Sequence, residues 1–374
     1  MIKTNVNYKI CNRCIMDTTA ADISFDDDGV CSFCSEFLQR SSETIYKPDG
    51  KKQIELDLLI SKIRKDGKHR PYDCIVGVSG GVDSSWVLVK TVELGLRPLA
   101  VHMDNGWNSE LAQNNIANLV SKLKVDLHTY VVDWLEYKSL MQAFFDANVV
   151  DVELLYDNAM LAVNYQVANR YSIKHILAGT NQVTEGMKIP SGWNWFKYDK
   201  RNIYDIAKRY GVKRIKSFPA IGPLNYTYYK IFKEIKWHSV IDFLDFNKNE
   251  SLKILESSFG YKRYPYKHYE SIFTRFYQGF LLPQKGNIDK RRVHLSTLII
   301  SGQMSRNEAI QDLKSIPYPS EQDLQKDINY FLKKMDWTVG DLTKYVNEPF
   351  VAHDHYRSEK ELWRKFYQIY LMFK

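Results

Sequence analysis

The stretch CIVGVSGGVDSS, residues 74–85, decides the fold. A short apolar run, Cys74–Val78, leads without a break into Ser79-Gly80-Gly81-Val82-Asp83-Ser84-Ser85, and helical spacing follows. Glycines let a backbone approach an anion closely, serine hydroxyls donate hydrogen bonds, and a helix N-terminus adds the positive end of its dipole. A strand that ends in such a loop predicts a phosphate-binding strand–helix junction. The loop does not end in Gly-Lys-Ser/Thr, so γ-phosphate transfer is not indicated.

Working outward, further short apolar runs fall at Leu99–Met103, Leu127–Val132 and His175–Ala178. Helical patterns lie at about 83–94, 109–123, 137–147 and 157–172. Strands alternating with helices predict βαβ units and a parallel sheet covered on both faces. Upstream, residues 46–70 read as a linker with one amphipathic helix marked by Ile54, Leu58, Leu59 and Ile63. Beyond about residue 200 the strand signal fades. Residues 305–374 read as helices, with Ser305 and Glu308 at capping-box spacing.

Cysteines restrict the chemistry. The chain of 374 residues holds five, and Cys11, Cys14, Cys31 and Cys34 fall within the first 34 positions. Two C-x2-C knuckles sixteen residues apart match a closed tetrahedral site for structural zinc, with an iron–sulfur cluster as the rival. Cys74 stands alone, early in its strand, where a small buried thiol is the expected reading. Mean hydropathy is −0.40, no apolar run approaches the ~20 residues that span a bilayer, and the first ten residues have no signal-peptide core, so a cytoplasmic location without a membrane is expected. The net charge of +8 favours anionic partners. It is concentrated in residues 200–292, where 20 Lys/Arg face 8 Asp/Glu among 19 aromatics. Such a segment can grip RNA, or it can form a helical subdomain whose aromatics are core while its cations meet a diphosphate.

SGGVDSS resembles the signature of the PP-loop ATP pyrophosphatases, which cleave ATP to AMP and pyrophosphate to adenylate a substrate oxygen. The resemblance implies an α/β class: a parallel, doubly wound PP-loop domain (adenine nucleotide alpha hydrolase-like) over 71–215, with an N-terminal zinc module over 1–45, a linker and helix over 46–70, and a helical, basic substrate or closing domain over 216–374. It further implies that Ser79, Gly80, Gly81, Asp83, Ser84 and Ser85 hold the pyrophosphate end of ATP, with Asp83 near magnesium. Adenine is expected over Val101, His102 and Met103. Gly179, Thr180 and Asn181, followed by Thr184-Glu185-Gly186, resemble the second nucleotide loop.

The N-terminal Cys-x2-Cys-Ile-Met-Asp-Thr-Thr, the phosphate loop, GTNQVTEGMKIP with Trp193 and Trp195, KHYESIFTRFYQ at 267–278 and KRRVHLSTLIISGQMSRNEA at 290–309 together resemble the N-acetyl sugar amidotransferase family. Members serve lipopolysaccharide O-antigen and flagellin-sugar biosynthesis and convert an acetamido group of a nucleotide-linked sugar, with UDP the expected nucleotide here, to an acetamidino group. The resemblance also implies ammonia from a glutaminase like that of imidazole glycerol phosphate synthase, often with a cyclase-like partner. The chain's own cysteine arithmetic agrees: beyond the four clustered thiols only Cys74 remains, and its place early in a strand disfavours it as a glutaminase nucleophile or for sulfur transfer. Lys290, Arg291, Arg292 and His294 are the expected anion clamp, against the reading of the Lys-Arg-Arg run as a solvated helix face. Glu185 is expected to orient ammonia or accept its proton. His353-Asp354-His355 invites a metal reading, but surface polarity is expected. A tRNA-modifying PP-loop enzyme and a zinc-ribbon nucleic-acid-binding protein are the alternatives; nucleic acid is not the expected partner.

Overall fold

In the computed structural model, which describes residues 8–372, five strands form one sheet in the order β3-β2-β1-β4-β5, all parallel. They are β1 (Cys74–Gly77), β2 (Pro98–Asp104), β3 (Leu127–Val131), β4 (His175–Ala178) and β5 (Lys236–Ser239). Helices α1 (Ser32–Ser42) and α2 (Asp49–Gly67) precede the sheet; α3 (Val82–Glu93), α4 (Glu110–Leu123), α5 (Trp134–Asp146), α6 (Leu154–Arg170), the single turn α7 (Gln182–Glu185), α8 (Lys200–Arg209) and α9 (Pro223–Thr227) join or follow its strands. After β5 come α10 (Lys248–Phe259), α11 (Ile272–Phe276), α12 (Leu282–Gly286), α13 (Arg291–Ile300), α14 (Arg306–Asp312), α15 (Glu321–Met335), α16 (Val339–Asn347) and α17 (Lys360–Met372).

The two-residue period of the strands sorts their side chains. Ile75, Val101, Met103 and Ile176 join one apolar cluster with α6, whereas Val76, Val78, Ala100 and Leu177 join another with α3. The sheet is therefore sealed by helices on both faces. Only the edge strand β3 alternates in burial, leaving Leu127 and Val131 exposed.

All four expected strands and the four helices between them are present. Two details differ. The fifth strand, Lys-Trp-His-Ser, has no apolar run and lies at the sheet edge, so the sheet draws residues from beyond position 215, where the closing domain was expected to begin. On α2 the buried stripe is Leu56, Ile60 and Ile63, while Ile54 and Leu58 face solvent at 62% and 66% exposure. The capping box of Ser305 and Glu308 forms as expected and opens α14.

His353 is not surface polarity. It lies buried in a 3₁₀ turn, pairs Nδ1 with Asn202 Oδ1 at 2.7 Å, accepts the Asp151 amide at Nε2 and stacks on Trp195. Burial holds its imidazole at about 4, well below the usual range. Asp354 and His355 stay exposed, as expected. Cys74 is fully buried, and desolvation pushes its thiol up, as suits an inert core residue.

Candidate active site

The sheet reverses its winding between β1 and β4, because β2 and β3 lie to one side of β1 while β4 and β5 lie to the other. Loops leaving the carboxyl ends of these two neighbours diverge and open a crevice. The loop after β1 holds Ser79–Ser85 and the loop after β4 holds Gly179–Glu185, so two segments about a hundred residues apart in sequence meet there.

Their meeting demands glycine. Gly80 has φ +84°, and a Cβ there would lie 2.8 Å from Ala112 O. A Cβ on Gly179 would lie 2.8 Å from the Ser84 amide nitrogen, at the first turn of α3. Gly179→Ala should therefore push the second loop off the first. We expect about a tenfold or greater rise in KM for the nucleotide, checked by initial-rate kinetics, with the fold retained by circular dichroism.

Between the loops and the helices that follow β5 lies a cavity of about 640 Å³. Its nucleotide end is formed by Ser79, Gly81, Asp83, Ser84, Gly179 and Thr180, with Val101 and Met103 on the sheet floor. Four expected contacts do not reach its wall, and the first of them, Gly80, packs against Ala112. Alternation along β2 turns His102 to the opposite face, where Nδ1 donates to Val78 O at 2.9 Å. Ser85 is buried on the packed side of α3. Asn181 serves the second loop internally, with Nδ2 donating to Gly179 O at 2.9 Å and Oδ1 accepting the Thr184 amide at 2.8 Å.

Asp83 is the least comfortable group in the site. Its Oδ2 accepts from Thr184 Oγ1 at 3.2 Å, while Oδ1 is buried without a hydrogen-bond partner among the described residues. Desolvation first, and the neighbouring Glu185 second, raise its pKa. A hard cation at this point would satisfy the orphaned oxygen and relieve the like-charge pair, so the residues fit a magnesium ion.

Opposite the phosphate loop stand cations from the segment after β5. Lys248, at the start of α10, faces the cavity with no ion-pair partner for its ammonium among the described residues, and desolvation lowers its pKa. Lys267 Nζ bonds to Glu185 Oε1 at 3.1 Å and to His294 Nδ1 at 3.2 Å. His294 Nε2 meets His268 Nε2 at 3.2 Å, and His268 Nδ1 lies 3.5 Å from Glu270 Oε1. A continuous polar chain thus runs across the cavity from Glu185 to Glu270. Burial, then Lys267 and His268, hold His294 far below the usual range, so its imidazole is neutral.

The expected Lys290–Arg292 clamp breaks up. Lys290 lines the cavity but is tied to Glu153 at 2.8 Å, and Gln278 caps the same carboxylate. Arg291 also lines the wall, with its guanidinium committed to Asp289 and to the carbonyls of Asp312 and Ser315. Arg292 is absent from the wall: it points to the cysteine module, bonding Ile15 O at 2.9 Å and Asp17 at 3.0 Å. Consecutive residues on a helix are about 100° apart, so three adjacent cations cannot all face one ligand. Sequence reasoning assigned no role to Lys248 or Lys267; the basic excess of 200–292 was the trace of Lys248, and Lys267 also opens the KHYESIFTRFYQ motif.

The four cysteines converge. Their Sγ atoms lie within 4.8 Å of one another, with individual separations of 3.8 Å (Cys11–Cys34), 3.7 Å (Cys14–Cys31) and 3.6 Å (Cys31–Cys34). Four sulfurs around one tetrahedral ion at about 2.3 Å would sit about 3.8 Å apart, so the donor set fits a single zinc; a polynuclear cluster would hold its ligands farther apart. Amides of Arg13, Cys14 and Cys31 point at Cys11 Sγ, which favours the thiolate. None of these residues lines the cavity.

Comparison with known proteins divides the chain in two. Residues 55–193 match the family model of NAD synthase, and residues 270–370 match the LPS biosynthesis protein WbpG-like, C-terminal domain. No curated protein matches. Among solved structures, the NH3-dependent NAD synthetase from Campylobacter jejuni subsp. jejuni is similar at 16% identity, covering 72% of this chain and 99% of its own, with a TM-score of 0.29. The NMN synthetase from Francisella tularensis shows 13% identity, 58% and 98% coverage and a TM-score of 0.30. A predicted subunit of tRNA methyltransferase from Methanocaldococcus jannaschii shows 14% identity, 49% and 73% coverage and a TM-score of 0.29.

Proposed function

Since this chain joins a PP-loop domain of the NAD synthase kind to a WbpG-like C-terminal domain of lipopolysaccharide biosynthesis, we propose that it is an ATP-dependent amidotransferase acting on the acetamido group of a nucleotide-linked sugar. The observation that carries this reading is one cavity lined from both domains. The phosphate loop forms one wall, and residues between 270 and 317, inside the WbpG-like region, form the other together with residues between 248 and 269.

An amide carbonyl is a poor electrophile, and its oxygen is a poor leaving group. Attack of that oxygen on the α-phosphorus of ATP forms a P–O bond, breaks the α–β bridge and gives an O-adenylyl imidate plus pyrophosphate. Ammonia then adds at carbon, loses a proton, and expels AMP to leave the amidine. The chain must align two polyanions and stabilise charge on the departing pyrophosphate. The amides and hydroxyls of Ser79–Ser84 and the start of α3 supply donors, and Lys248 and Lys267 supply positive charge from the opposite wall. Asp83, with Glu185 beside it, would hold magnesium, which when bound neutralises phosphate charge. Glu185, on the cavity wall beside the second loop, is the group assigned to take ammonia's proton; His294, bonded at both ring nitrogens and held far below its usual range, orients Lys267 and His268 instead.

Ammonia itself would come from a separate glutaminase subunit, since the fifth cysteine is buried in β1. Lys248→Met should lower kcat/KM by about a hundredfold, checked by pyrophosphate release, because the partnerless cation facing the phosphate loop is lost. The adenylyl route has its own test. Substrate carrying ¹⁸O in the acetamido carbonyl should yield AMP bearing the label; unlabelled AMP would overturn it. Among the described residues no helix is long and apolar enough to cross a membrane.

A further inference from the structure

We propose that Tyr261 and Tyr264 are positioning residues that lock the Gly80–Gly81 peptide of the phosphate loop with its carbonyl turned away from the bound anion. This rests on the reading of that loop as the nucleotide-phosphate site. Both phenols donate to the same atom, Gly80 O, each at 3.0 Å. A carbonyl oxygen has two lone pairs, and here both are used.

The peptide needs such a lock. Glycine on either side removes the steric barrier that normally fixes a peptide plane, so this one can turn over at little cost. In a trans peptide the Gly80 carbonyl and the Gly81 amide point in opposite directions. Turning the plane over would aim a negative carbonyl dipole at the place where phosphate charge must sit and would break the bond by which the Gly81 N–H holds Ser79 Oγ in the loop at 3.2 Å. Gly81 lines the cavity, whereas Gly80 packs against Ala112.

The phenols are themselves held. The segment that carries them is tied to α4: Asn115 bonds both the amide and the carbonyl of Lys262, and Asn118 bonds Gly260 O. Their rings meet edge to face at 6.1 Å. The same segment continues into Lys267 and His268 on the opposite wall, so the wall that meets the sugar substrate also sets the phosphate loop.

One phenol suffices to keep the carbonyl paired, and this predicts a redundancy. Tyr261→Phe and Tyr264→Phe should each weaken ATP binding by about threefold or less, whereas the double variant, which leaves a buried carbonyl unpaired, should weaken it by about thirtyfold. The measurement is ATP affinity of the full chain by calorimetry, with kcat and KM for ATP in pyrophosphate release alongside. A rise in KM with kcat changed much less is the expected split; a merely structural pair would lower the melting temperature and leave affinity unmoved. A double variant that binds ATP within twofold of wild type overturns the proposal. Absence of ATP binding by the wild-type chain overturns the nucleotide reading itself, and this inference with it.

Discussion

Asp83→Asn will reduce AMP and pyrophosphate formation by about a thousandfold or more while leaving the protein as stable as wild type or more so. The two halves of this result have one cause. Asp83 Oδ1 is buried without a partner, and the fold holds the carboxyl above its ordinary pKa through desolvation and the nearby Glu185. A carboxyl raised in the folded state disfavours its own ionised form, so it costs stability above its unfolded pKa, and that cost disappears as pH falls. Asparagine keeps the shape and the bond to Thr184, removes the charge and relieves the cost. It also removes the anionic oxygen that a cation at the phosphate loop needs. Activity and melting temperature at pH 7 should therefore move apart. A variant that keeps a tenth of the activity, or one that melts well below wild type, would contradict this account of Asp83.

Removing the metal from the cysteine module should be the largest structural perturbation. Chain analysis should find about one zinc per protein; structural zinc contributes on the order of 10 kcal/mol or more to such modules, so a chelator or Cys34→Ser should lower the melting temperature by more than about 10 °C. The consequence should extend to catalysis, although no cysteine touches the cavity. Arg306 donates to the carbonyls of Cys14 and Cys11 at 2.9 and 3.0 Å, Arg292 bonds Ile15 O and Asp17, and the Ile15 amide donates to Ser296 Oγ at 3.2 Å. These are α13 and α14 contacts, and α13 presents Arg291 and His294 to the cavity. Arg40 reaches from α1 to Gly186 O, beside Glu185, from the other side. The module braces both walls. Stable apo-protein with full activity would show that it does not.

What the sequence disclosed follows from which interactions are local. Strands β1, β2 and β4 were legible because a central parallel strand is buried on both faces and reads as an unbroken apolar run, and β3, although at an edge, still carries Leu127, Tyr130 and Val131. Lys236–Ser239 escaped because an edge strand needs no such run. The phosphate loop was legible because its glycines, serines and following helix are contiguous, and the zinc knuckles because ligand spacing is itself local. The roles of Lys248 and Lys267 were not legible, although Lys267 stands at the head of a motif that was. Both lysines face the cavity of the phosphate loop because α10 packs on α3 and the segment after it is tied to α4, and a lysine in sequence carries no mark of that docking. The Lys290–Arg292 run misled for the converse reason: neighbours in sequence diverge on a helix, and each found its own carboxylate. His353 was misjudged because Asn202 and Asp151, which satisfy it, lie some 150 and 200 residues away.

The aromatics of the basic segment show the same division. Phe246, Phe273, Phe276 and Tyr277 are core, while Tyr264 and Tyr266 line the cavity wall. The charge excess that sequence alone left open between RNA and a sugar nucleotide accordingly includes lysines aimed into an enclosed site.

The central claim is ATP-driven amidation of a sugar nucleotide, and nucleotide product analysis tests it most directly. The chain is incubated with ATP, magnesium, an ammonium salt and a UDP-linked acetamido sugar, and each component is omitted in turn. The account predicts AMP and pyrophosphate in equal amounts, matched by amidino sugar and dependent on every component. ADP in place of AMP, or AMP formation that needs tRNA and ignores the sugar nucleotide, would contradict it.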